Sequence, residues 1–210
     1  MIWVENVLVS AGEGGVYGER MLQEYRIWDP YRSKLAAYYY LGGEFELTPD
    51  LVVLYLGAAN GTTVSHVADY AGTVYAIEFA PRPMQDLVAV ARRRNNVVPL
   101  MADAARPDRY APLLEVADLM YQDIAQPEQV TIAIRNSIFL REGGRMLIML
   151  KTRSIDTTEE PGLVLEHSVS ELETAGISVL DTKWLHPYHK DHAAILCLPA
   201  GDSGSGPSRT

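Results

Sequence analysis

A glycine-rich turn after an apolar segment has the composition of a ligand-binding loop. The turn follows the run LVVLYL and spaces two glycines as G-x-x-x-G, from Gly57 to Gly61. Glycine lets the backbone approach a ligand closely, and a helix that begins there offers free N–H groups. The dinucleotide spacing G-x-G-x-x-G is absent, which disfavours a nicotinamide-dependent oxidoreductase. The turn alone could also be purely structural.

Three acidic residues end or follow predicted strands and could complete such a site. Glu78 lies about 20 positions after the turn, where a carboxylate can accept hydrogen bonds from both ribose hydroxyls of a nucleoside. Asp103 could accept a hydrogen bond from an adenine amino group or cap a turn, and Asp123 follows the fourth strand of the repeating pattern. Because the carboxyl ends of parallel strands share one edge of a sheet, we expect these side chains to lie together. Each could instead be a solvated loop carboxylate.

The elements that must position these residues alternate between strand and helix from residue 51 onward. We predict helices near 62–70, 82–93 and 159–174, and one from Gln126 that ends at Gly143-Gly144. Only the short turn HPYHKD separates the last two strands, so they should pair as an antiparallel edge hairpin. The fold class is therefore α/β, with a mostly parallel seven-stranded sheet covered on both faces. The predicted strands are LVVLYL, TVYAIEF, NVVPLM, VADLMYQD, GRMLIMLK, ISVLDTKWL and HAAILCLP.

The first 50 residues differ from this pattern. They contain the strand-like pieces IWVENVLVS and VYGERML, separated by turn signals, and a helical segment from Ser33 to Leu41 that Gly42-Gly43 stops. We therefore predict a small β-rich N-terminal domain at 1–50, a main domain at 51–199 and a disordered tail at 200–210, where the sequence is GDSGSGPSRT.

Composition limits the possible partners and compartment. The net charge is −9, which opposes attraction to a polyanion unless basic residues gather locally. Of 18 basic residues only four are lysines, namely Lys34, Lys151, Lys183 and Lys190, so each lysine is a candidate for chemistry. Cys197 is the single cysteine, and no segment has the pattern of a signal peptide or a membrane span. We expect a cytoplasmic protein with no membrane partner.

Several segments of the chain resemble fibrillarin, the 2′-O-methyltransferase of box C/D ribonucleoproteins. The resemblance runs from about Gly15 to Pro199, and it is to the shorter archaeal form, because the Gly/Arg-rich extension of eukaryotic members is missing. It implies a Rossmann-like class I S-adenosylmethionine-dependent methyltransferase that modifies rRNA and possibly tRNA. One departure is Asn60, where the family usually carries Ser. The matching segments are GVYGER, YRIWDPYRSKLAA, VLYLGAANGTTVSHVADY, VYAIEF, DAARP, YQDIAQPEQ, MLKTRSIDTT and HKDHAAI.

The resemblance assigns the binding loops of S-adenosylmethionine. Glu78 and Phe79 would hold the ribose and flank the adenine, while Asp103 would meet the adenine edge. The segment 123–126 would lie beside the methionine end and the reacting methyl group. The residues assigned in this way are Gly57, Ala58, Thr62, Thr63, Glu78, Phe79, Asp103, Ala104, Asp123, Ile124, Ala125 and Gln126.

The resemblance also implies a catalytic tetrad. A lysine can act as a general base only if its ammonium form is disfavoured, for example by a second cation or by desolvation. Our hypothesis is that Lys151 removes the proton of the ribose hydroxyl and that Asp123 orients it. Asp191 stands next to the expected last member and could hold that place instead. The tetrad residues are Lys34, Asp123, Lys151 and His192.

The implied substrate is a guide-selected RNA, held by other components of a particle. The partners implied are a Nop-type scaffold protein, a kink-turn-binding protein, the box C/D guide RNA and the rRNA or tRNA substrate. Two alternatives stay open: a methyltransferase acting on protein or small molecules, where a nitrogen nucleophile needs no such base, and a non-catalytic cofactor-binding scaffold. No metal site is predicted. Candidate phosphate-binding residues near the site in sequence are Arg26, Arg32, Arg153, His189 and Lys190.

Overall fold

The N-terminal segment forms a small antiparallel sheet followed by one helix in the computed structural model, which describes residues 1–12 and 15–199. Its strands are β1 (Ile2–Val4), β2 (Val7–Ser10), β3 (Met21–Leu22) and β4 (Tyr25–Ile27), in the order β1-β2-β4-β3. The piece IWVENVLVS folds back on itself, because Glu5 and Asn6 adopt φ angles of 51° and 64°. The predicted helix is confirmed as α1 (Lys34–Tyr40), which begins after the capping residue Ser33.

The main sheet has the predicted topology. Its strands are β5 (Val52–Leu56), β6 (Thr73–Glu78), β7 (Val97–Met101), β8 (Ala117–Gln122), β9 (Leu140–Lys151), β10 (Ile177–Trp184) and β11 (His192–Pro199). They lie in the order β10-β11-β9-β8-β5-β6-β7. The strands β5 to β9 pair in parallel, while β11 is antiparallel to both β9 and β10. The mostly parallel sheet with an antiparallel edge hairpin is therefore confirmed.

One predicted helix ends earlier than we expected. The helices of the main sheet are α2 (Thr62–Val67), α3 (Pro81–Ala91), α4 (Gln129–Asn136), α5 (Thr152–Ile155) and α6 (Pro161–Thr174). The expectation that the fourth helix reaches Gly143-Gly144 is wrong, because α4 ends at Asn136 and both glycines lie inside β9. Gly143 has a φ of 74°, and the pairing of β9 with β8 shifts register across this segment. These glycines form a bulge in a strand instead of a helix cap.

Side chains alternate along β5 between two buried clusters, one on each face of the main sheet. Val53 and Tyr55 pack on the face that carries α1, α2 and α3. Leu54 and Leu56 pack on the opposite face, with α4 and α6. Trp28 of the N-terminal segment is fully buried in the first cluster, so the small sheet packs on that face of the main sheet.

The division of the chain into domains stays a prediction. The first hydrophobic cluster includes residues from both sides of the expected boundary after residue 50. The tail predicted at 200–210 lies outside the described residues. Within residues 1–12 and 15–199, no helix has both the length and the apolar character that a membrane crossing requires.

Candidate active site

A cavity of about 200 Å³ opens at the carboxyl ends of β5, β6, β7 and β8. Open α/β sheets bind ligands at this edge. Besides residues predicted for the cofactor, the cavity is lined by Ala59, Ile77, Ala102 and Lys151. Ala59 lies inside the glycine turn, so the sequence pattern could have predicted that it lines the cavity. The predicted cofactor residues that line the cavity are Gly57, Glu78, Phe79, Asp103, Ala104, Asp123, Ile124, Ala125 and Gln126.

Gly57 brings the ends of two neighbouring strands into close contact. Its φ is 80°, a conformation that favours glycine. A Cβ atom at this position would lie 2.4 Å from the carbonyl oxygen of Asp123 and 2.7 Å from Cγ2 of Ile124. The N–H groups of Gly57 and Ala58 both donate to the carbonyl of Ile77 at 3.0 Å. The turn is therefore fixed against β6 and β8, and a residue with a side chain would push them apart.

The carboxylate of Glu78 is held by two backbone donors. Its Oε2 accepts from the N–H of Ala59 at 2.8 Å and its Oε1 from the N–H of Ala80 at 2.7 Å. A carboxylate has about four acceptor positions, so each oxygen keeps capacity for a ligand hydroxyl. Phe79 follows and is 60% exposed. Asp103 is ordered in a similar way, because its Oδ1 accepts from the N–H of Ala105 at 2.9 Å.

Three residues that we predicted beside the cofactor lie outside the cavity lining. Ala58 is buried in the core cluster. Thr63 donates from its hydroxyl to Oγ of Ser33 at 3.0 Å. Thr62 donates to Oδ1 of Asn60 at 3.0 Å, so the asparagine that departs from the family pattern orders the start of α2.

The side chain of Gln126 presents an unused acceptor at the cavity. Its Oε1 atom is buried and has no hydrogen-bond partner among the described residues. A buried carbonyl oxygen without a partner is costly. A ligand that carries an N–H group into the cavity would remove this cost.

Asp123 lies between two lysines that come from distant parts of the chain. Its Oδ2 is 3.1 Å from Nζ of Lys34, and its Oδ1 is 3.0 Å from Nζ of Lys151. Lys34 begins α1, Asp123 follows β8, and Lys151 ends β9. Burial raises the pKa of Asp123, but the two ammonium charges outweigh it, so the pKa lies below its ordinary value. The carboxylate is therefore ionised, and it is shared between the two lysines.

The two candidates for the last place of the predicted tetrad, His192 and Asp191, have different neighbours. His192 pairs directly with Lys151 across β11 and β9. Burial lowers the pKa of His192, and the charges of Lys34 and Lys151 add to this against the hydrogen bond to Lys190. The carboxylate of Asp191 instead lies 3.6 Å from Nε of Arg153. The two adjacent residues therefore have different partners. The charges of the two lysines affect the pKa of His192, whereas Asp191 contacts Arg153.

His189, predicted as a phosphate contact, lies close to this cluster. Its ring is 6.0 Å from the ring of His192, and Nε2 is 2.8 Å from the carbonyl oxygen of Pro30. Burial and the charge of Lys34 lower its pKa. The turn before β11 therefore contacts the chain segment that leads into α1.

The structure overturns the expectation that Arg26 contacts phosphates. Its side chain is fully buried and forms ion pairs with Glu19 and Asp69, so it presents no charge to solvent. The other candidates are closer to the surface. Arg32 lies 4.5 Å from the ring centre of Tyr17, and an exposed position is found for Lys190.

Arg153 is partly engaged with the protein. Its guanidinium donates to the carbonyls of Thr157 and Glu159 at 3.0 and 2.9 Å. The side chain nevertheless remains 45% exposed. A phosphate could therefore be bound only by the N–H groups of Arg153 that do not donate to these carbonyls. The predicted phosphate contact stays a prediction.

Comparison with known proteins gives one consistent family. The family model described as Fibrillarin matches residues 5–200. The fibrillarin-like rRNA/tRNA 2′-O-methyltransferase of Methanoculleus marisnigri is 66% identical over 197 residues, covering 94% of this chain and 98% of that protein. The fold is similar to a chain of a fibrillarin/Nop5p complex, with a TM-score of 0.90, 41% identity and coverage of 95% and 97%. It is also similar to Aeropyrum pernix fibrillarin with natively bound S-adenosyl-L-methionine, with a TM-score of 0.78, 43% identity and coverage of 90% and 86%.

Proposed function

Since the chain belongs to the fibrillarin family, we propose that it transfers a methyl group from S-adenosylmethionine to ribose 2′-hydroxyls of rRNA and tRNA. Lys151 carries this proposal, because it both lines the cavity and contacts Asp123 at 3.0 Å. A potential proton acceptor thus stands beside the site that would hold the methyl donor. The relative in Methanoculleus marisnigri is an rRNA/tRNA 2′-O-methyltransferase, and proton removal by such a pair would serve that reaction.

The cavity residues fit S-adenosylmethionine. The fixed carboxylate of Glu78 can accept from ribose hydroxyls, and the exposed ring of Phe79 offers a flat apolar surface for adenine. The unpartnered Oε1 of Gln126 can accept from the ammonium group of the methionine end. Bound in this way, the cofactor supplies an electrophilic methyl group on a sulfonium. Its native presence in the Aeropyrum pernix relative supports the assignment.

The cluster of Lys34, Asp123 and Lys151 would handle the proton of the nucleophile. A ribose hydroxyl is a poor nucleophile, so removal of its proton during bond formation lowers the barrier. Lys151, in its uncharged form, would accept that proton at Nζ while Asp123 fixes its direction. Lys34 shares the same carboxylate, so Asp123 does not neutralise Lys151 alone. Methyl transfer also needs linear alignment, and rigid placement of these groups supplies it.

We further propose that this chain acts on RNA as part of a particle. A relative of similar fold forms a complex with Nop5p, which supports a Nop-type scaffold as partner. A kink-turn-binding protein and a box C/D guide RNA would hold the substrate. The net charge of −9 supports this arrangement, because a strongly acidic protein approaches a polyanion poorly unless partners raise the local concentration. A cytoplasmic location stays a prediction.

A methylation assay with labelled S-adenosylmethionine tests both the ribose methylation and the need for a particle. We expect slow methylation of a guide-matched RNA by the protein alone and guide-dependent methylation once the scaffold, the kink-turn-binding protein and the guide are added. The modified position is identified as 2′-O by its resistance to alkaline hydrolysis. Equal rates without the guide would contradict the particle, and label on a base or on protein would contradict ribose methylation.

A further inference from the structure

The side-chain amide of Gln129 binds both backbone polar groups of Lys151. Its Oε1 accepts from the N–H of Lys151 at 2.9 Å, and its Nε2 donates to the carbonyl of Lys151 at 3.1 Å. Gln129 is the first residue of α4 and is fully buried. One primary amide therefore makes the pair of hydrogen bonds that a neighbouring strand would normally make.

This amide lies at the end of β9, where β8 no longer pairs with it. The parallel pairing of β8 with β9 extends to Gln122 and Ile148, and Lys151 lies beyond that last pair. On its other side Lys151 is in register with His192 of β11. Gln129 thus replaces the missing strand for one residue, which is the proposed base.

A second buried glutamine connects this contact to Asp123. The Nε2 atom of Gln122 donates to the carbonyl of Gln129 at 2.8 Å. Gln122 is 1% exposed and directly precedes Asp123. Asp123 and Lys151 are therefore connected in two ways, by their 3.0 Å ion pair and by the hydrogen bonds that run through Gln122 and Gln129.

We propose that Gln129 is a positioning residue for methyl transfer, because its amide fixes the backbone of Lys151 and thereby keeps the ammonium group at Asp123 and at the cavity. Gln129 does not line the cavity, so it acts through Lys151. The inference rests on the proposed function. Misplacement of a reacting group by about 1 Å can lower a rate by about 100-fold, so this is the loss we expect when the amide is removed.

Three variants test the proposal in the assembled particle. Gln129→Leu keeps the volume and removes both hydrogen bonds, while Gln129→Glu keeps the acceptor and loses the donor. The control Asn96→Ala removes an amide that donates to the carbonyls of Ala68 and Ala71 at 2.8 and 2.9 Å, away from the cavity. For each variant we would measure single-turnover methylation of guide-matched RNA, the calorimetric Kd for S-adenosylmethionine and the melting temperature.

We expect Gln129→Leu to lower the methylation rate by about 100-fold with little change in the cofactor Kd. Gln129→Glu should fall between it and the wild type, and the control should keep the wild-type rate per folded molecule. Wild-type rates in both Gln129 variants would overturn the proposal. An equal loss in the control would also overturn it, since general loosening would then explain the effect. If Gln129→Leu does not fold, Gln129→Glu decides by the same criteria.

A second measurement keeps this inference separate from the proposed function. Amide hydrogen exchange at Lys151, followed by NMR in the cofactor-bound protein without RNA, should be faster in Gln129→Leu, which removes the acceptor of that N–H, and unchanged in Asn96→Ala. Unchanged exchange at Lys151 would refute the contact itself. An inactive wild-type particle would instead refute the proposed function, whatever the exchange result.

Discussion

Two clusters of charged side chains in this protein each place one aspartate between two cations. In the open cluster, Asp123 lies between Lys34 and Lys151, and the three side chains are 16–19% exposed. In the closed cluster, Asp69 lies 2.6 Å from Arg26 and 2.8 Å from Arg94, and the three side chains are 0–6% exposed. Arg26 also pairs with the buried Glu19, so the closed cluster holds two carboxylates for its two cations, while the open cluster holds one.

A further difference lies in the cations and in their access to solvent. Arginine stays protonated in proteins and uses several donors at once, whereas a lysine ammonium can lose one proton and become a neutral amine. Arg26 comes from β4 and meets Asp69 after α2, which ties the N-terminal sheet to the main sheet. Lys34 makes a similar link to Asp123, but it does so at the edge of the cavity. Arginine suits a permanent connection, and lysine suits a proton acceptor.

The largest expected effect comes from making the open cluster resemble the closed one. Lys151→Arg keeps a cation beside Asp123 but cannot accept a proton, so the methylation rate in the assembled particle should fall by about 10²–10⁴-fold. Lys151→Ala should fall comparably. Cofactor affinity, measured by calorimetry, should remain nearly unchanged in both. A wild-type rate in Lys151→Arg would show that the lysine supplies charge only.

The second effect concerns the closed cluster. Asp69→Asn leaves the buried Arg94 without its charge partner and leaves Arg26 with Glu19 alone, so the free energy of unfolding should fall by about 3–5 kcal/mol. Denaturant titration measures this loss, and the methylation rate per folded molecule should stay near wild type. The matched change Asp123→Asn should show the reverse, with a small loss of stability and a large loss of rate. Similar profiles for the two variants would contradict the division between the clusters.

The third effect tests whether cofactor binding depends on a residue outside either cluster. Glu78→Ala should weaken S-adenosylmethionine by about 1–3 kcal/mol, because the hydroxyls of the ribose lose a fixed acceptor. Calorimetry of the free protein measures the change, with the exposed α3 residue Asp86→Ala as control. Unchanged affinity in Glu78→Ala would remove Glu78 from the ribose assignment.

The smallest effect is a pH dependence of His66, which lies beside the closed cluster, because its Nδ1 is 2.8 Å from Oγ of Ser10 and that hydroxyl donates to Asp69 at 2.6 Å. Burial, reinforced by the charge of Arg26, lowers the pKa of His66 to about 2. The unfolded chain binds that proton near the ordinary value of about 6.5, so the contribution of neutral His66 is fully present above this pH. It is lost as the pH falls below it, by at most about 1.4 kcal/mol per pH unit.

Denaturant titrations at pH 7.5 and pH 5 measure this dependence. The wild type should lose more stability between the two than His66→Asn does, because asparagine does not titrate. Equal losses in the two proteins would assign the pH dependence to other groups.

The sequence predicted the open cluster far better than the closed one, for a physical reason. Asp123 follows one apolar strand and Lys151 ends another, and a parallel sheet necessarily brings such residues to one edge. Lys34 was placed with them by its resemblance to a family motif. Arg26 and Asp69 are 43 positions apart, and no periodicity relates them. Only the packing of the N-terminal sheet on the main sheet makes them neighbours.

Two further features depended on tertiary context. Gly143 was expected to cap a helix, but it lies in a bulge of β9, where the register against β8 shifts. His192 and Asp191 are adjacent, so spacing could not choose between them. The structure pairs His192 directly with Lys151, and the last place of the tetrad stays a prediction. The role inferred for Gln129 was also inaccessible, because its amide acts on a strand end that sequence distance does not reveal.

The close contact at Gly57 has a consequence for how this enzyme can change over generations. Every single-base change in a glycine codon that alters the residue introduces a Cβ atom, which would meet the carbonyl of Asp123 at 2.4 Å. Such an allele would disturb the cofactor turn and the carboxylate between the lysines together. A substitution at Gly57 would therefore change both the affinity for the methyl donor and the rate of methyl transfer. Divergence in either must come through other positions.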